Sequence, residues 1–183
     1  MPANKVRIIG GTLRHRLIQF PADPLLRPTP DRVRETLFNW LGQTLDGLDC
    51  LDLFAGSGAL GFEAFSRGAK RVVAVEQSRA AVAALKRNAE VLAAPLEIFA
   101  GDAARFLRDD HRTFDLVFFD PPFDSDYYTR LWPALEAHVK PHGWVYVESP
   151  QAFAAPGWQI LKAKRAGHVF YQLLVRESGA AGV

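Results

Sequence analysis

"LDCLDLFAGSGALG", residues 48 to 61, passes from an apolar run into three glycines, Gly56, Gly58 and Gly61, in G-x-G-x-x-G spacing. A short apolar run ending in such glycines predicts a buried strand, a tight turn and a helix over 58–67. Glycine there lets the backbone turn sharply and come close to a nucleotide-like ligand. Taken alone, the spacing fits a turn with no ligand or a dinucleotide site equally well.

Outward from this stretch the alternation continues. RVVAVE (71–76) predicts a strand and 78–92 a helix; LEIFA (96–100) is followed by a short helix over 103–108; FDLVFFD (114–120) precedes a helical stretch over 127–139; GWVYVES (143–149) is a further strand. Apolar strands separated by helices predict an α/β fold with a mostly parallel sheet covered on both faces. WQILKAKRAGHVFYQLLVR (158–176) predicts an antiparallel closing hairpin turning at Ala166-Gly167, with His168 packed in it, and 178–183 reads as a frayed tail.

Before the glycine stretch the sequence has another character. KVRIIGGTLRHRLIQF (5–20) predicts a hairpin around Gly10-Gly11, PADPLLRPTP (21–30) an extended connector, and the residues after it a helix. Thr29 would cap that helix with Pro30 at its first position, and Val33, Leu37, Trp40, Leu41 and Leu45 recur at helical spacing. The expected organisation is a basic extension over 1–45 on a core over 46–177, in one compact unit. Residues 1–40 hold seven lysines and arginines against three acids, whereas the whole chain carries only +2. Such a front end suits a polyanion. Arg7, Arg14, Arg16, Arg32 and Arg34 are the candidate phosphate contacts, with Arg27 and His15 less clear.

With 183 residues the chain has length for one full core. It shows no apolar stretch near the roughly 18 residues of a membrane span and no long apolar segment at its start, so a cytoplasmic location is expected. The lone Cys50 reads as a small buried strand residue, and no His/Cys/Asp cluster has metal-ligand spacing. No metal, no covalent intermediate and a monomer are expected.

Ligands of parallel sheets bind outside the carboxyl ends of the strands. Acids gather there: Asp52 before the glycines, Glu76 twenty residues after Gly56, and Asp102, between Gly101 and Ala103, after the third strand. Glu76 suits two ribose hydroxyls, and Asp102 an adenine amine or the cap of the next helix. Several acids around one pocket repel a pyrophosphate and attract cationic groups. S-adenosylmethionine, with its sulfonium and ammonium, therefore fits better than NAD.

The fourth strand ends in "DPPF", Asp120 to Phe123. A guanine or adenine exocyclic amine is a poor nucleophile because its lone pair is delocalised. Asp120 and the Pro121 carbonyl can both accept its N–H groups and localise that pair. The prolines preset the loop, and Phe123 can stack on the base.

These blocks resemble the amino-methylating class I S-adenosylmethionine-dependent methyltransferases. More narrowly, RIIGGTLRHRLIQF (7–20), RPTPDRVRETLFNWL (27–41), DLFAGSGALGFEA (52–64) and FDLVFFDPPF (114–123) resemble the RsmD family of bacterial 16S rRNA guanine-N2 methyltransferases. The resemblance implies a Rossmann-like class I methyltransferase sheet and methylation of the guanine at position 966, on an assembled or assembling small ribosomal subunit. It implies cofactor roles for Gly56, Gly58, Glu76 and Asp102 and target-base roles for Asp120, Pro121 and Phe123. Phe123 stands where many such enzymes have Tyr, so a hydroxyl is not expected to matter there. The competing readings are a DNA adenine or protein-glutamine methyltransferase, an RNA-binding scaffold with a vestigial pocket, and an NAD oxidoreductase.

Overall fold

A computed structural model describes residues 4–23, 26, 28–123 and 125–177. Arg27 and the 178–183 tail, both named above, lie outside the described residues. The first strands, β1 (Asn4–Arg7) and β2 (Leu17–Phe20), pair antiparallel, and α1 (Asp31–Trp40) follows. The remaining strands form one sheet: β3 (Asp49–Asp52), β4 (Arg71–Glu76), β5 (Glu97–Ala100), β6 (Phe114–Phe119), β7 (Val139–Ser149), β8 (Trp158–Ala166) and β9 (Val169–Arg176). Between them run α2 (Ala59–Ser66), α3 (Arg79–Val91), α4 (Ala103–Asp109), α5 (Tyr127–Arg130) and α6 (Trp132–Glu136).

The sheet order is β5-β4-β3-β6-β7-β9-β8. Strands β3 to β7 are parallel, and β9 and β8 close the sheet antiparallel. Because β3 pairs with both β4 and β6, the order reverses there, and the carboxyl ends of β3 and β6 are where a sheet of this kind offers a ligand crevice. Alternation along the strands divides the core. Cys50, Leu116, Phe118 and Tyr146 join α1, α2 and α3 on one face, while Leu51, Val117, Phe119 and Val145 join α4 and α6 on the other. Cys50 is buried and unpaired, and burial pushes its thiol pKa up, which suits packing.

Several expectations change at the extension. Gly10-Gly11 is not the hairpin turn: nine residues separate β1 from β2, and the glycines lie against the end of α2. A Cβ on Gly11 would stand 1.8 Å from the Ser66 carbonyl oxygen, so only glycine permits that approach. Thr29 does not cap α1, because its hydroxyl donates to Glu148 instead, at 2.9 Å. The 127–139 stretch is two short helices, and Val139 already belongs to β7. His168 is exposed at the β8–β9 turn rather than packed.

The extension shares the core of the sheet. Val6, Ile8, Ile18 and Phe20 are buried in the same cluster as α2 and α3. Asn88 on α3 accepts from the Gln19 amide at 3.1 Å and donates to the Gln19 carbonyl at 2.7 Å, tying β2 down. Burial of four such side chains contributes roughly 1.5–3 kcal/mol each relative to exposure, enough to hold a two-stranded hairpin that would be marginal alone. No helix among the described residues is long and apolar enough to cross a membrane.

Candidate active site

At the carboxyl end of β3 the chain must turn into α2. Gly56 and Gly58 both take positive φ, at 51° and 83°, a region open to glycine at little cost. Their surroundings differ. A Cβ on Gly58 would lie 2.5 Å from Leu85, so this glycine serves the packing of α2 against α3. A Cβ on Gly56 would meet only ordinary contacts, with Leu26 at 3.6 Å and the Phe54 carbonyl at 3.9 Å, so this glycine is the less crowded of the two. Gly61 is buried, and a Cβ there would stand 3.4–3.5 Å from Asp52, Leu96 and Val72. Gly58 thus also serves packing, and whatever Gly58 and Gly61 offer a ligand is main chain.

Glu76 stands at the end of β4 with both carboxylate oxygens engaged from one side: Oε2 accepts the Gly56 amide at 2.8 Å and Oε1 the Ser78 amide at 2.7 Å. The side chain is partly exposed, and each oxygen keeps a lone pair for a hydroxyl donor. Asp102 caps α4 by accepting the Arg105 amide at 2.8 Å and is otherwise exposed at the next strand end. The Ala103 methyl is buried in the core, so its main chain is what it can offer a ligand.

Asp52 follows the alternation of β3 and points under α2, where it accepts the Gly61 amide at 3.1 Å. Only 3% of it is exposed, so it sits beneath the crevice instead of lining it. Burial, opposed by that amide, pushes its pKa up to about 7.

Asp120 ends β6 beside Asp52, since β3 and β6 pair Asp52 with Phe118. Burial first, then the negative charges of Glu148 and Asp52, hold its carboxyl well above the usual carboxylate range. Pro121 is buried, while Phe123 is 39% exposed, leaving a ring face for stacking. Next to Asp120, on β7, the buried Glu148 accepts hydroxyls from Thr29 at 2.9 Å and Tyr146 at 2.8 Å. Tyr128 donates to the Glu148 carbonyl at 2.7 Å and lies 3.5 Å from the Pro121 carbonyl. Glu148, Tyr128 and Tyr146 escaped the sequence reading, which saw in Thr29 only a helix cap. The parity of β7 carried a signal for Glu148, two residues beyond core Tyr146.

Among the described residues, no ion pair includes Asp52, Asp120, Glu148 or Glu76. An uncompensated set of acids around a glycine-edged crevice suits a ligand with cationic groups and ribose hydroxyls.

The arginines divide. Arg14, Arg16 and Arg32 are exposed, and Arg7 is half-exposed in a surface pair with Asp31 at 3.0 Å. Arg34 is wholly buried: it bonds Glu63 at 3.2 Å, Asp31 at 2.6 Å and the Thr29 carbonyl at 3.1 Å. Its assignment as a phosphate contact is withdrawn, because a guanidinium saturated inside the core cannot reach RNA. An open groove of about 800 Å³, lined by Gly10, Gly11, Arg14, Glu35, Asp46 and Arg67 among others, lies at the opposite end of the sheet, where β3 begins. Strand-end chemistry cannot take place there.

Residues 6–175 match a family model described as "Conserved hypothetical protein 95". The sequence is 40% identical over 187 residues to "Ribosomal RNA small subunit methyltransferase D" of Escherichia coli strain K12, covering 96% of this chain and 92% of that relative. The fold matches the solved structure of the Escherichia coli protein yhhF with a TM-score of 0.86 and 39% identity, over 95% of this chain and 99% of that one. A remoter protein, crystallised in complex with SAH, shares the fold at 16% identity and a TM-score of 0.66, over 79% of this chain and 48% of that one.

Proposed function

The chain belongs to the RsmD family, and on that premise we propose that it transfers the methyl group of S-adenosylmethionine to the exocyclic N2 of a guanine in 16S rRNA. The guanine is that of position 966, the one the sequence resemblance implies, and the substrate is the assembled or assembling small subunit. Such work belongs in the cytoplasm, where the particle is made.

The observation that carries the reading is the place of Asp120: at the end of β6, next to the strand whose end leads into the Gly56 turn, at the reversal of strand order, and with the Pro121 carbonyl next in the chain. Glu76 would take the ribose hydroxyls and Asp102 the adenine amine, and the unneutralised acids favour a cationic ligand over a pyrophosphate. Bound there, S-adenosylmethionine supplies a methyl group activated by its sulfonium. Asp120 and the Pro121 carbonyl hold the two N–H groups of the target amine and draw its lone pair out of the ring. Phe123 stacks on the base. Guanine N2 is inaccessible while paired and stacked, so the target must lie in a loop or be flipped. Arg7, Arg14, Arg16 and Arg32 would then hold the flanking phosphates.

The test is methyl transfer from labelled S-adenosylmethionine to small-subunit particles from a strain lacking the gene, with the digested rRNA nucleosides identified by mass spectrometry. N2-methylguanosine at one site is expected. N6-methyladenosine, or label on a ribosomal protein and none on RNA, would overturn the assignment.

A further inference from the structure

Glu148 is a second carboxyl at the acceptor end of the crevice, with no part in the chemistry described so far. Strands β6 and β7 pair Phe119 with Val147, so Asp120 and Glu148 are the next neighbours across that ladder. Alternation turns both to the face of Phe118 and Tyr146, under the connector from the basic hairpin. Thr29 reaches Glu148 from that connector, and its carbonyl is held by Arg34. A chain of hydrogen bonds thus runs from α1 through Thr29 to the carboxyl beside Asp120.

We propose that Glu148 is a positioning residue for methyl transfer, whose charge acts on the neighbouring Asp120 and which ties that pair to the N-terminal extension through Thr29. The proposal rests on the methyltransferase reading given above. Two adjacent buried carboxyls do not both ionise freely, and the protons belong to the pair. Among the described residues the groups around the pair are Asp52 on β3, Tyr128 on α5, Tyr146 on β7 and Tyr171 on β9, beside Tyr146, and none of these is cationic. Burial raises the Glu148 carboxyl, while the Tyr146 and Thr29 hydroxyls pull it back down. Those two donors favour a charged Glu148, and its charge makes Asp120 the stronger base.

A stronger base is what the reaction needs. The amine lone pair forms the N–C bond, the S–C bond breaks with its electrons left on sulfur, and the methylated nitrogen carries one proton too many. Asp120 takes that proton and releases it to water when the product leaves. Glu148 touches neither amine nor cofactor; it sets the basicity and orientation of the group that does.

Glu148→Gln keeps an acceptor for Thr29 and Tyr146 and removes the charge, so the Asp120 carboxyl should ionise at lower pH. Single-turnover methyl transfer to small-subunit particles, followed across pH, should show the acid limb moved down by at least about one pH unit and a lower plateau rate, with S-adenosylmethionine affinity unchanged within about twofold. Thr29→Val, which removes one donor from Glu148 and leaves the carboxyl in place, should move the limb in the same direction by less. An acid limb unmoved in folded Glu148→Gln overturns the proposal. If that variant does not fold, an unmoved limb in Thr29→Val overturns it alone. Wild-type protein inactive on the particles would instead defeat the proposed function, so the two failures are distinguishable.

Discussion

Glu63 and Asp120 lie on the same side of the sheet, and the fold treats their charges in opposite ways. Glu63 is wholly buried and accepts four donors: the amides of Ile9 and Gly10 at 2.8 Å each, Arg67 at 2.8 Å and Arg34 at 3.2 Å. Its charge is cancelled, and the network fastens the N-terminal extension and α1 to α2. Asp120 has another carboxyl as its neighbour and, among the described residues, no cation, and is left closer to the neutral state than a carboxylate normally is. A buried acid with all its donors supplied is a fastener. A buried acid whose neighbours are acids stores a cost that a ligand can relieve. Thr29 bridges the two, with its carbonyl on Arg34 and its hydroxyl on Glu148.

The comparison breaks most visibly at Asp120 itself. Asp120→Ala should lower single-turnover methyl transfer by about 10²–10⁴-fold, the range for a lost acid–base group, with cofactor affinity nearly intact. Near-normal turnover would detach the strand end from the chemistry. Glu63→Ala should act on stability: two buried guanidinium groups lose their partner, a loss of about 3–5 kcal/mol that denaturant titration reads directly. A change under about 1 kcal/mol would mean water or Asp31 compensates and the fastener is redundant.

Smaller effects sharpen the contrast. Glu76→Ala should weaken S-adenosylmethionine binding by about 1.5–3 kcal/mol per charge-assisted bond lost. Part of the loss comes through the glycine turn, since Glu76 also holds the Gly56 amide. Calorimetry showing unchanged affinity would remove Glu76 from the site. Replacing Arg7, Arg14 and Arg16 together by Ala should flatten the salt dependence of particle binding by about 0.7–0.9 in log–log slope per lost phosphate contact. Equal slopes would make the hairpin loop a solvated edge. Arg34 has no place in that series, because its partners are already inside the protein.

The sequence exposed what depends on neighbours in the chain. The places of Gly56, Glu76 and Asp120 at strand ends were legible because a strand end is marked locally, by an apolar run meeting glycine, acid or proline. What depends on distant partners was hidden: Thr29 meets Glu148 across 119 positions, and Gly10 meets Glu63 across 53. The Gly10-Gly11 pair was misplaced for that reason, since its conformation answers to α2 and not to the adjacent strands. Arg34 was misread although a helical signal existed. It lies three and four positions before Leu37 and Phe38, on the apolar side of α1, where a cation is buried only if acids meet it.

Asp120, set among acids, serves the reaction, while Glu63, held by guanidinium groups, fastens the fold. Measuring melting temperature and single-turnover methyl transfer together in Asp120→Ala and Glu63→Gln tests that division, and a crossed result is expected. Asp120→Ala should melt at or above the wild-type temperature and lose its turnover, because a strained carboxyl has been removed. Glu63→Gln should melt several degrees lower and, below its transition, turn over within a few-fold of wild type. Parallel losses of stability and turnover in both variants, or a Glu63→Gln that is stable but inactive, would contradict it.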